Sequence, residues 1–165
     1  MRASRRIEEG KPHRRLSFGA RLGALYATNT ARGSSQAMAT GGLFLLSERM
    51  SHMADVFLDF AGGDGDRLNR FGLGVYLPFS EETHAPYIGL AGAFSFQRFG
   101  GQGEWGFSLM PVVGLMHARY DRMRLRVELG YLYAFFEEKE HDRLVPGSGQ
   151  GRRSQGPQLT FGVSF

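Results

Sequence analysis

The chain has 165 residues and no cysteine. That excludes disulfides, thiolate metal sites and cysteine nucleophiles. It has one tryptophan and six prolines. No run of roughly 18 apolar residues occurs, which excludes a transmembrane helix. The same absence does not exclude a membrane barrel, whose apolar and polar residues alternate and cancel in any average. Net charge is modest, +4, with a pI of about 9.8. The basic residues are scattered and no recognition motif carries them, so nucleic acid is not an expected partner. Five histidines, His13, His52, His84, His117 and His141, lack metal-ligand spacing. Neither a metal nor a cofactor is expected.

What the chain does have is glycine, 24 residues, and phenylalanine, 14 residues. Glycine at this level disfavours helices and lets a sheet curl. Period-two alternation recurs along the chain, as a strand with one apolar and one polar face requires. Eight such segments can be laid out: Leu16–Ala27, Ala37–Leu46, His52–Ala61, Asn69–Phe79, Tyr87–Arg98, Trp105–His117, Met123–Glu137 and Pro157–Phe165. The second has apolar residues on both faces, so its inner face is ambiguous. Pro111 cannot donate to a ladder, so a bulge or a local gap is expected there. Residues 1–15 read as a flexible basic tail and 16–165 as one barrel domain. The tail has no apolar h-region and is not a signal peptide. An exported chain needs a leader, so either the leader lies outside this sequence, the start is misassigned, or the chain is not exported.

The connections alternate in character. Thr28–Gln36, Gly62–Leu68, Phe99–Glu104 and Glu138–Gly156 are polar and glycine-rich; Ser47–Ser51, Ser80–Pro86 and Ala118–Arg122 are short. With both termini periplasmic, the first set are the outside loops and the second the periplasmic turns. Alternating strands, bulky apolar faces and a C-terminal Phe165 together resemble the small eight-stranded outer-membrane barrels of the outer-membrane protein A and protein X type. The expected fold is therefore an all-β, eight-stranded, antiparallel up-and-down transmembrane barrel in the outer membrane, acting as a monomer. The resemblance implies insertion by the outer-membrane assembly machinery, which reads a terminal strand such as Leu159–Phe165, with Phe161, Val163 and Phe165 on its apolar face.

In such a barrel the apolar face points to lipid. Phe18, Tyr26, Phe60, Phe71, Phe79, Phe96, Trp105, Tyr133 and Phe135 then form aromatic girdles at its two rims. Arg21, Asp55, Asp59, Arg70, Tyr76, Arg124, Arg126 and Glu128 point inward. An eight-stranded barrel is just wide enough for side chains to fill, and buried charges must pair. A salt-bridge plug follows, with Arg21–Glu128 as the preferred pair and Asp55 and Asp59 met by some of Arg70, Arg124 and Arg126. Gly19, Gly23, Gly72, Gly74, Gly89, Ala91 and Ala93 leave room for these long side chains. The functional expectation is a structural or surface-interaction protein without enzymatic activity, its partners being outer-membrane lipids and lipopolysaccharide. Arg143, Arg152 and Arg153 are candidates for the anionic groups. The alternatives are a soluble lipocalin-like barrel holding an apolar ligand, a lipid-modifying enzyme and a narrow polar pore. Catalysis by Asp55 and Asp59 is disfavoured by their arginine neighbours. Ser51 and His52 are adjacent, which on a strand sends them to opposite faces. The Gly100–Gly103 and Gly62–Asp66 stretches read as turns, since neither has the partners a phosphate or calcium site needs.

Overall fold

The computed structural model describes residues 15–29, 34–49, 51–99, 102–119, 121–136 and 153–165. Its strands are β1 (Arg15–Asn29), β2 (Ser34–Glu48), β3 (Met53–Gly63), β4 (Asp66–Pro78), β5 (Ala85–Phe99), β6 (Gln102–His117), β7 (Arg124–Phe136) and β8 (Arg153–Ser164). Every strand pairs antiparallel with its sequence neighbours, and β8 returns to β1, closing the barrel. At the closure Phe165 N donates to Phe18 O at 2.9 Å and Phe18 N donates to Phe165 O at 3.3 Å. A closed ladder leaves no unpaired edge, which is what allows strands to stand in hydrocarbon.

The alternation sets the faces. Along β7, Leu125, Val127, Leu129, Tyr131, Tyr133 and Phe135 are exposed, while Arg124, Arg126, Glu128, Gly130, Leu132, Ala134 and Phe136 are buried. At about 3.3 Å per residue and a tilt of about 40°, the exposed row from Leu125 to Phe135 covers roughly 25 Å, the height of a barrel's lipid-facing band. β1 repeats this from Leu16 to Tyr26 and β6 from Trp105 to Leu115. In β2 the ambiguity resolves with Leu43 and Leu45 outside and Phe44 and Leu46 inside.

Several expected boundaries shift. Arg15 belongs to β1, β2 begins at Ser34 and β6 begins at Gln102. The segment expected as the loop Gly62–Leu68 is mostly strand, with only Asp64 and Gly65 turning. Most of Thr28–Gln36 and Phe99–Glu104 is likewise strand. Of the four connections expected outside, the first is therefore no longer than the turns at the other end, as the second and third already are in the sequence, and only the fourth is longer. Backbone pairing at a closed barrel's rim continues past the point where apolar alternation stops, which is why composition alone ended these strands early. Most of the fourth loop, 137–152, lies outside the described residues, as do Arg143 and Arg152 and the tail 1–14.

Pro111 produces a gap and no bulge. The β6–β7 register runs from Gly106↔Phe136 to Leu109↔Tyr133 and resumes unshifted at Val112↔Gly130. The β5 side of Pro111 stays paired, with Leu90. A second gap lies where Pro157 and Gly156 face Tyr26 and Ala27 between β8 and β1. A Cβ on Gly156 would stand 1.7 Å from Tyr26 O, so only glycine permits that approach. Pro111→Val restores a donor on the β7 side. It is expected to raise the urea midpoint by an amount equivalent to about 1 kcal/mol and to slow amide exchange across Tyr131–Leu132. An unchanged exchange rate there would contradict this account of the gap.

Candidate functional site

The eight side chains expected inside are all buried within the barrel. Arg21 and Arg70 converge on Asp59. Arg21 Nε and Nη2 donate side-on to the two Asp59 oxygens at 2.8 and 2.7 Å, and Arg70 Nη2 donates to Asp59 Oδ2 at 2.8 Å. The same Arg70 nitrogen donates to Gln158 Oε1 at 2.7 Å. Since β4 and β8 stand on opposite walls of an eight-membered ring, this contact crosses the lumen. The Arg21 guanidinium also lies 4.6 Å over the Phe57 ring.

The preferred pair Arg21–Glu128 is a secondary contact at 3.8 Å. Asp59 displaces it because of Gly42. In register, Arg21 faces Gly42 across one ladder and Gly42 faces Asp59 across the next. With no side chain on β2 at that height, the carboxylate reaches across to the guanidinium.

Glu128 is held instead by Arg126 Nη2, by Tyr87 Oη at 2.7 Å and by Thr160 Oγ1 at 3.2 Å. Arg126 Nη1 also donates to Asp55 Oδ2 at 3.1 Å, and Tyr76 Oη donates to the same carboxylate at 3.1 Å. Room for this cluster comes from glycines opposite the large groups. Gly74 faces Asp55, Gly89 lies under the Tyr76 ring and Gly114 under the Tyr87 ring. Gly74 and Gly89 were expected to serve this way, whereas Gly114 and Gly42 were not.

A third cluster closes the end that carries the three short turns. Arg124 Nη1 donates to Glu48 Oε2 at 2.8 Å, and Arg119 Nε pairs with the other Glu48 oxygen. Arg119 ties the turns together: Nη1 donates to Ser80 O at 2.7 Å, Nη2 to Arg49 O at 3.1 Å and its backbone N to Thr83 O at 3.0 Å. Of the three arginines expected to supply partners for Asp55 and Asp59, Arg70 and Arg126 do so and Arg124 does not. Its Nε and Nη2 have no hydrogen-bond partner, nor do Thr40 Oγ1 and Ser164 Oγ. Glu48 and Arg119 were missed because both fall in segments that read as turns. At the opposite end Gln97 Nε2 donates to Glu104 Oε2 at 2.8 Å and Ser154 Oγ to Gln97 Oε1 at 3.0 Å. Among the described residues, five arginines and five carboxylates are buried, so the interior carries no net charge.

Outside, all nine expected girdle aromatics point away from the lumen; Phe96 is half-buried because it stacks on Trp105, ring centroids 4.8 Å apart. Phe161 and Phe165 are exposed and Val163 half-exposed on the same wall. Ser51 and His52 do meet, Oγ to Nδ1 at 3.0 Å, because they lie in a turn and not on a strand. No described side chain orients the other His52 nitrogen. His84 and His117 stack at 4.3 Å in the exposed turn region, and the described residues hold no group of three metal-ligating side chains.

No family model matches the chain, and no curated protein matches it. Among solved structures it is similar to Neisserial surface protein A, with a TM-score of 0.61 and 15% identity over 92% of this chain and 99% of that one. The fold is that of a transmembrane barrel. A chain from the de novo design of transmembrane β-barrels also matches, at TM-score 0.41 and 13% identity, over 94% of this chain and 98% of that one. At these identities the likeness concerns the path of the transmembrane barrel's chain and not its side chains. The exposed apolar wall and the charged interior are this sequence's own, and they agree with that fold.

Proposed function

We propose that the chain is a monomeric outer-membrane barrel with a structural or surface-interaction role, neither an enzyme nor a pore. The observation that carries this reading is a departure from a soluble protein's plan: a continuous wall of bulky apolar side chains faces outward, while paired charges share the lumen with two apolar clusters. A soluble lipocalin-like barrel needs the reverse, an apolar interior with space for a ligand. Side chains that cross the lumen, Arg70 to Gln158 above all, support a plug over a channel. An exposed Ser–His pair without an orienting third group does not support nucleophilic catalysis. The outward row Phe161, Val163 and Phe165 on β8 supports recognition by the assembly machinery. In this reading the rim with the turns tied by Arg119 is periplasmic, the opposite rim is outside, and surface specificity resides at that outer rim.

The test combines two measurements on protein refolded in detergent. An unheated sample is expected to migrate faster than a boiled one on an SDS gel, because a closed barrel resists SDS. Planar bilayers containing the folded protein are expected to show no conductance steps. A water-soluble monomer without detergent sinks the membrane reading; discrete ion steps sink the plug.

A further inference from the structure

Outward-facing Arg67 on β4 and Arg98 on β5 are directly opposite each other. Both are exposed, and neither side chain makes a hydrogen bond or ion pair with any described residue. Like charges at facing sheet positions destabilise the pair. The nearby acids do not relieve it. Asp66 shares the inward parity of Leu68 and Arg70, and Asp64 sits at the turn tip; neither forms an ion pair with the two arginines.

The surroundings keep this spot open and fix its depth. In register the row runs Gly62, Arg67, Arg98, Gly103 across β3 to β6. Glycines flank the arginines on both sides, so no side chain of that row screens them. One outward position lower, the row runs Phe60, Asn69, Phe96, Trp105. Two residues along a strand tilted by about 40° are about 5 Å along the membrane normal. The guanidinium pair therefore stands just above an aromatic girdle, and girdle aromatics sit at headgroup level.

We propose that Arg67 and Arg98 form a two-arginine clamp for the phosphate of an anionic membrane lipid, whose acyl chains lie along the Phe94, Phe96 and Trp105 wall. The inference rests on the membrane reading above. Arginine suits the role because its planar fork matches phosphate oxygens, and a bound phosphate converts the repulsion between the two side chains into attraction to a shared anion.

Trp105, the chain's single tryptophan and 68% exposed, reports on the lipid beside it. The full chain is folded into phosphatidylcholine vesicles in which either phosphatidylcholine or phosphatidic acid carries brominated acyl chains, and quenching of Trp105 is compared at equal mole fraction. The wild type is expected to favour the anionic lipid by about thirtyfold, about fivefold for each arginine. R67Q and R98Q singly should each reduce the preference, and the R67Q/R98Q variant should abolish it. Both side chains project from the rim, so folding is expected to survive, as gel mobility will show. Equal quenching by the two lipids in the wild type, or a preference that persists in R67Q/R98Q, overturns the clamp. Absence of quenching by either lipid would instead overturn the membrane reading beneath it.

Discussion

Arg126→Met is expected to cost about 3–5 kcal/mol of folding stability, the typical loss when one partner is removed from a buried charge pair. Arg126 satisfies two carboxylates at once, Asp55 at 3.1 Å and Glu128, and donates from Nε to Tyr87 Oη at 3.2 Å. Its guanidinium also lies over the Tyr76, Phe44 and Tyr87 rings at 4.7, 5.2 and 5.5 Å. Methionine fills much of the volume but leaves both carboxylates short of charge compensation in a region that excludes water. Adding Glu128→Gln to Arg126→Met should recover part of the loss. The contrast is Arg124→Met. Arg124 contributes one contact to Glu48, which Arg119 still holds, and two of its own donors are buried without partners. Removing such a charge is expected to change stability by less than about 1 kcal/mol, or to raise it. Urea unfolding in micelles measures both. Equal losses for the two variants would mean that interior pairing is not what separates them.

The inward parity of Arg126 and Glu128 is plain in the sequence because β7 alternates without interruption. Tyr87 shares the parity of Gly89 and Ala91, so its place inside was also legible. What alternation cannot supply is height. In a closed barrel the strands are staggered by the shear, and two inward residues on nearby strands meet only if the stagger brings them level. That is why Arg21 meets Asp59 across β2 in preference to Glu128 across β8. The second strand was unreadable for another reason. Phe44 and Leu46 line an apolar layer near the turn end of the lumen with Met53, Phe57 and Met116, so both faces of β2 are greasy and the contrast disappears. Arg119 lies beyond any periodic signal: it reaches Glu48 from a turn in which Ala118 takes a left-handed backbone, φ 57°.

The clusters differ in what they secure. The Arg126 and Arg21 clusters join strands across the lumen, and charge balance between them leaves no excess sign to attract a permeating ion. The Glu48–Arg119 cluster joins the turns to one another and closes the end where β1 begins and β8 ends. A barrel of this plan has its rigidity in the buried charges, and its outer wall is apolar. The Arg67–Arg98 pair belongs to that outer wall and contributes nothing to the interior.

Gly42→Ala is expected to lose about 3 kcal/mol through steric and electrostatic effects together. A Cβ at this position would lie 2.1 Å from Asp59 Oδ1 and 2.8 Å from Leu58 O. The backbone oxygen is fixed by the β2–β3 ladder, so the carboxylate must move. Moving it breaks the contacts that Arg21 and Arg70 make with Asp59, leaving two guanidiniums in the lumen with their shared anion displaced. The neighbouring glycine is the control. Gly41 faces outward, its nearest neighbour for an added methyl being Leu22 Cδ2 at 3.5 Å, so Gly41→Ala should fall within about 0.5 kcal/mol of wild type. A double-mutant cycle tests the cause. If Gly42→Ala acts by displacing Asp59, then Gly42→Ala combined with Asp59→Ala loses little more than Asp59→Ala alone, because the contact it would break is already gone. Additive losses would place the damage in the β2 backbone and not in the Arg21–Asp59–Arg70 bridge.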